Sequence, residues 1–109
     1  MIAILEYLTA DGANPYRQWF DRLDPQAAGL VIEAIERLAD GNTSRVKPIG
    51  EGAAEIRIDH GPGYRVYFGW DGRTLVVLLG GGTKRRQERD IRAALAMWRD
   101  YKARKKARK

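Results

Sequence analysis

The chain has 109 residues, enough for one domain with one small core and too short for a second. It holds no cysteine and a single histidine, His60, which excludes a disulfide framework and a thiolate metal site, so neither a metal nor a cofactor is expected. A net charge of +6 points to an anionic partner, whereas the lack of a run of roughly 20 apolar residues or a basic leader predicts an unexported, cytoplasmic protein that contacts no membrane.

In chain order, Ile2 to Leu8 is a short, almost wholly apolar run that predicts a buried first strand, ended by Asp11-Gly12. Asn14-Pro15 then opens a helix, with Asn14 as N-cap and Pro15 at the first helical position. Its apolar stripe is Tyr16, Trp19, Phe20 and Leu23. Asp24-Pro25 repeats that opening for a second helix, whose stripe is Ala27, Val31, Ala34, Ile35 and Leu38 and which stops at Gly41-Asn42, so the pair forms a helical hairpin. A short strand around Val46 to Ile49 follows.

Glu55 to Asp59 alternates, with Ile56 and Ile58 directed inward and Glu55 and Arg57 on the other face. After the turn His60-Gly61-Pro62-Gly63, the run Tyr64 to Trp70 alternates again, placing Arg65, Tyr67 and Gly69 opposite to Tyr64, Val66, Phe68 and Trp70. Pairing of the two strands would put Arg57, Arg65 and Tyr67 on one open face, an arrangement suited to an anion. Asp71-Gly72 leads into Thr74 to Leu79, apolar on both faces as a central strand would be. Gly80-Gly81-Gly82 is expected to end it, with Thr83 capping a last helix on Ile91, Leu95 and Trp98. These elements predict an α+β fold in the order β-α-α-β-β-β-α, a small antiparallel sheet with the helical hairpin and the C-terminal helix packed on one face.

The distribution of charge separates two sources. Residues Met1 to Ser44 sum to −4, Arg45 to Arg86 to +4, Gln87 to Tyr101 to 0 and Lys102 to Lys109 to +6. The end KARKKARK reads as a basic tail, 102–109, outside a domain of 1–101, and suits a non-specific polyanion or acidic-partner contact. The +4 of the middle coincides with the sheet. Glycines followed by Lys84, Arg85 and Arg86 do not spell a nucleotide-binding phosphate loop, because Thr83 precedes the lysine, yet glycines beside cations at a helix start favour a phosphate.

The pattern VKPIGEG, EIRIDHGPGYRVYF, LLGGGTK and the following QxxDI resembles the RelE/ParE superfamily of bacterial toxins, in its branch of small addiction-module killer proteins related to HigB. The resemblance runs from the first strand through Ile91 and leaves the basic tail outside. It implies the toxin of a type II toxin–antitoxin module with a RelE-like fold, held inactive by a cognate antitoxin, a small helix-turn-helix protein encoded beside it. RelE-like and HigB-like members cut messenger RNA, usually on the ribosome and without metal; ParE-like members inhibit DNA gyrase. The matching positions for the nuclease site are Arg57, Arg65 and the cluster Lys84, Arg85 and Arg86. The C-terminal tyrosine of RelE-like nucleases has no match, and of the HigB-like histidines only His60 is loosely placed.

Metal-free RNA cleavage uses the neighbouring 2′-hydroxyl as nucleophile, so a site must deprotonate it, stabilise the crowded phosphate and protonate the leaving oxygen. The expectation is that Arg57 and Arg65 hold the phosphate, Lys84 and Arg86 stabilise its developing charge, and Tyr67 stacks on a base or relays a proton. Glu55 and His60 are the candidate bases, and Lys47 and Arg85 extend the phosphate-binding set. A gyrase inhibitor without nuclease activity and a non-catalytic basic nucleic-acid-binding module remain the other readings.

Overall fold

The computed structural model describes residues 2–108. Strand β1 (Ala3–Glu6) is followed by helices α1 (Pro15–Phe20) and α2 (Pro25–Ala39), strands β2 (Val46–Gly50), β3 (Ala53–Ile58), β4 (Tyr64–Asp71) and β5 (Leu75–Thr83), one 3-10 turn over Lys84–Arg86, and helix α3 (Gln87–Ala107). Both helix openings follow their sequence signals. The Asn14 side chain accepts from the Arg17 N–H and that of Asp24 from the Ala27 N–H, each at 2.9 Å, and a proline follows each cap. The turn after α2 has Gly41 at φ 91°, the left-handed conformation that ends helices and that glycine adopts without strain.

The architecture is α+β as expected, with three differences of detail. There are five strands where the order β-α-α-β-β-β-α counts four; the short strand expected around Val46 to Ile49 is β2, which pairs along β3 from Val46↔Ile56 to Gly50↔Ala53. The sheet is mixed. Its order is β1-β5-β4-β3-β2, antiparallel except that β1 runs parallel to β5. The helical hairpin carries the chain from one edge of the sheet to the other, so the following four-strand meander returns β5 to the side of β1 in the same direction. As an edge strand β1 is not buried, and Leu5 is left exposed.

Third, the helices cover both faces. The α1–α2 hairpin packs on Ala54, Ile56, Ile58, Val66, Phe68, Val76 and Leu78, whereas α3 brings Ala94, Trp98, Ile91 and Leu95 onto Ala53, Tyr67, Val77 and Leu79. The reason lies in β5. With Val76 and Leu78 on one face and Val77 and Leu79 on the other, all essentially buried, neither face can be left to water at roughly 1.5–3 kcal/mol per large apolar side chain.

The glycines do not end β5. Gly80, Gly81 and Gly82 pair with Tyr67, Val66 and Arg65, and the strand continues to Thr83. Gly81 and Gly82 make room for side chains from α1 and α3: a Cβ on Gly81 would lie 2.4 Å from the Trp19 ring, and one on Gly82 2.0 Å from an Asp90 carboxylate oxygen. Thr83 makes no side-chain capping bond, and the 3-10 turn stands between it and α3. Helix α3 then continues through Ala107 without a break at position 101, so the basic segment is largely its last turns. No helix of the described residues is long and apolar enough to cross a membrane.

Candidate anion-binding site

Register places the expected residues in two rows across the sheet. Lys47 lies opposite Glu55, Glu55 opposite Tyr67 and Tyr67 opposite Gly80; in the next row Arg57 lies opposite Arg65 and Arg65 opposite Gly82. Paired residues of a ladder share a face, so the sequence correctly brings Arg57, Arg65, Tyr67 and Glu55 together. The face is not open, however. Helix α3 covers it, leaving Glu55 at 0%, Tyr67 at 1% and Arg65 at 8% of their full exposure.

The polar part of this covered face is organised by Glu55. Its carboxylate accepts from the Gln87 Nε2 at 3.0 and 3.3 Å and stands 3.2 Å from the Arg65 Nε, while the Arg65 Nη1 donates to the Gly63 carbonyl at 3.3 Å. Glu55 is therefore committed to Arg65 and Gln87, and no water or substrate reaches it. Tyr67 is corrected in the same way. Its ring is enclosed, with no face left for a base to stack on, and its hydroxyl is buried with no hydrogen-bond partner among the described residues. Burial, then the carboxylates of Glu55 and Asp90, push its pKa well above the ordinary tyrosine value, so it stays protonated.

Arg57, Lys84, Arg85, Arg86 and Lys47 remain exposed. Among the described residues none of the five has a carboxylate within 4 Å, unlike Arg45, which holds Asp59 at 2.6 Å. The β3–β4 turn gathers several of them. The Lys84 N–H donates to the Gly63 carbonyl at 2.8 Å, and a Cβ on Gly63 would lie 3.4 Å from the Lys84 Cβ and 3.6 Å from the Arg65 Nη1. Arg57 is the cross-strand neighbour of Arg65. His60, partly exposed, opens the same turn, its carbonyl accepting from the Gly63 N–H at 3.0 Å. Arg85 and Arg86 follow on the 3-10 turn, and Lys47 sits one row away on the edge strand. The site is thus a cationic rim around one end of the sheet, backed by a buried Glu55–Arg65 pair.

Two residues outside the expected set complete it. Gln87 fixes Glu55, and Asp90 lies against Gly82 with its pKa raised by burial, a shift that Arg89 and Arg86 partly offset. Asp90 also borders a cavity between α1 and α3, floored by Gly80 and Gly81 and walled by Trp19 and Tyr67. The sequence signal for both was their place in the first turn of the helix that follows the glycine-lined strand.

Residues 18–99, which include β2 to β5 and the first half of α3, match the phage-derived Gp49-like proteins (DUF891). A Haemophilus influenzae protein described as "Uncharacterized protein" is 41% identical over 80 residues, covering 72% of this chain and 81% of its own length. With most of the sheet and the whole cationic rim inside that match, the chain belongs to the Gp49-like family, a toxin family of RelE/HigB-type toxin–antitoxin modules.

Proposed function

We propose that the protein is a toxin of the HigB-related branch that cleaves messenger RNA on the ribosome without a metal, its active site being the cationic rim at the β3–β4 turn. The observation that carries this reading is the convergence of Arg57, Arg65 and Lys84 on that turn, with Arg57 and Lys84 free of carboxylate partners among the described residues. Exposed cations held by a rigid sheet are what a transferring phosphate requires.

In this mechanism the RNA 2′-oxygen attacks the adjacent phosphorus as the bond from phosphorus to the 5′-oxygen breaks, and the departing 5′-oxygen takes a proton from solvent water, leaving a 2′,3′-cyclic phosphate and a 5′-hydroxyl. Arg57 and Lys84 hold the non-bridging oxygens, and Arg86 faces the charge that develops. Lys47 and Arg85 contact flanking phosphates. Arg65, neutralised by Glu55, shapes the rim and offers its outer guanidinium edge. His60, partly exposed on the same turn, takes the 2′-proton, since Glu55 is enclosed. Tyr67 supports the floor. An antitoxin encoded beside the toxin, a small helix-turn-helix protein, would neutralise the rim with acidic side chains.

The test is cleavage of a translated message, mapped by primer extension. Wild type should cut, and Arg57→Ala or Lys84→Ala should cut about 10²- to 10³-fold more slowly, the order expected for one lost transition-state contact. Uncut message under wild-type protein, with supercoiling by gyrase blocked instead, would transfer the protein to the gyrase-inhibitor reading.

A further inference from the structure

A second cavity lies at the other end of β4, where α3 passes the β4–β5 turn. It encloses about 260 Å³ between the aromatic residues Trp70, Trp98 and Tyr101 and the cations Lys102, Lys105 and Lys106. The tail of α3 that the resemblance left outside the toxin domain thus forms one wall of a cleft.

The cleft is built rather than incidental. The Trp98 and Tyr101 rings stack at 5.4 Å and 7°, and the Trp98 Nε1 donates to the Glu51 carbonyl at 2.7 Å. The Lys102 ammonium sits 5.3 Å from the centre of the Trp98 ring. The Tyr101 hydroxyl donates to Asp71 at 2.7 Å, and Lys105 holds the same carboxylate at 2.6 and 2.7 Å. Asp71, the one acid of the lining, is therefore neutralised within the cleft. Lys102 and Lys106 are exposed and, among the described residues, have no carboxylate within 4 Å.

We infer that this cleft is a binding site for single-stranded RNA, distinct from the rim at the β3–β4 turn, taking an unpaired base against Tyr101, whose ring is backed by Trp98, and its flanking phosphates on Lys102 and Lys106. An aromatic wall flanked by lysines is the combination that holds single strands without sequence preference. A duplex keeps its bases stacked on one another and offers no free π-face to that wall. The seven steps of β4 from Tyr64 to Asp71 separate the two sites by roughly 23 Å at the usual strand rise. One strand engaging both gains from effective concentration. The inference shares with the proposed function only the choice of RNA as partner and does not require cleavage.

Binding is therefore measured with 2′-O-methyl RNA, which lacks the nucleophile and cannot be cut, by fluorescence anisotropy on the full chain. The double variant Lys102→Gln/Lys106→Gln, altered only at exposed positions, should bind a 12-nucleotide strand about ten-fold more weakly at 0.1 M salt. Its plot of log affinity against log salt should be shallower by about 1.4, the value for two lost phosphate contacts on a single strand. Tyr101→Leu should weaken binding by about ten-fold through lost stacking, and wild-type tryptophan emission should change on saturation. Unchanged affinity and salt slope in the lysine variant would overturn the inference. So would equally tight binding of a duplex of the same sequence with tryptophan emission unmoved. Failure of cleavage with this binding intact would strike the nuclease reading alone.

Discussion

The two faces of the sheet are built from the same strands and solve different problems. Under the α1–α2 hairpin the buried residues of the sheet are all apolar, from Ala54 and Ile56 to Val76 and Leu78. Under α3 the apolar set is interrupted by Glu55, Arg65 and the unpartnered hydroxyl of Tyr67, with Asp90 close above. Packing alone does not require those polar groups, since the other face does without them. The comparison teaches that stability is concentrated on the hairpin side, while the α3 side gives up part of its apolar burial to hold charges in fixed positions beside the rim.

The largest effect that tests this contrast is on the hairpin side. Phe68→Ala should cost about 3–5 kcal/mol in urea unfolding. In whatever fraction remains folded, RNA cleavage should persist; a specific loss of activity at full folding would erase the distinction between the faces. Of similar size is the effect of Arg65→Met, which leaves the enclosed Glu55 carboxylate without its cation and should cost about 3–5 kcal/mol. The double change Glu55→Met/Arg65→Met should recover most of that stability and not the cleavage, separating the positional role of the pair from its structural one. If the double variant stayed as unstable as the single, the pair would be a source of stability after all.

Smaller effects follow. Asn14→Ala removes the cap of α1 and should cost about 1 kcal/mol, with no change in RNA binding. Tyr67→Phe deletes a buried hydroxyl that makes no hydrogen bond and should be neutral or slightly stabilising by thermal melting. A clear loss would mean that the hydroxyl has a partner.

Proton linkage gives the two sides opposite signs. Glu6, hydrogen-bonded by Arg17 of α1, has its pKa held below the ordinary carboxylate value. It contributes stability above that value and loses it as the pH falls through the folded pKa. Asp90, raised chiefly by burial, does the reverse: its contribution is fully present below the ordinary aspartate pKa and is lost as the pH rises through the folded value. Unfolding midpoints followed from pH 7 down to about 3 should therefore fall less steeply for Glu6→Gln than for wild type. Asp90→Asn should be the more stable chain at pH 7 and lose that advantage at the acid end. Parallel curves for all three would show that neither group is coupled to folding.

The sequence by itself determined the elements. Asn14-Pro15 and Asp24-Pro25 open helices because a capping side chain and a preset φ act within three residues, and the alternation in Glu55 to Asp59 and Tyr64 to Trp70 fixes which residues share a face because a strand has period two. It also determined the row Arg57–Arg65 and the family. Only the tertiary structure decided what covers each face. Period two assigns Tyr67 and Glu55 to the side opposite Phe68 without saying whether water, a helix or RNA lies there, and α3, which begins 20 residues after Tyr67 and 32 after Glu55, closes it. The same long-range packing turned the glycines of β5 from a strand end into clearance for Trp19 and Asp90, and joined the basic tail to Trp98 and Asp71. Local preference acts over a few residues, whereas burial is settled by whichever distant surface removes water first.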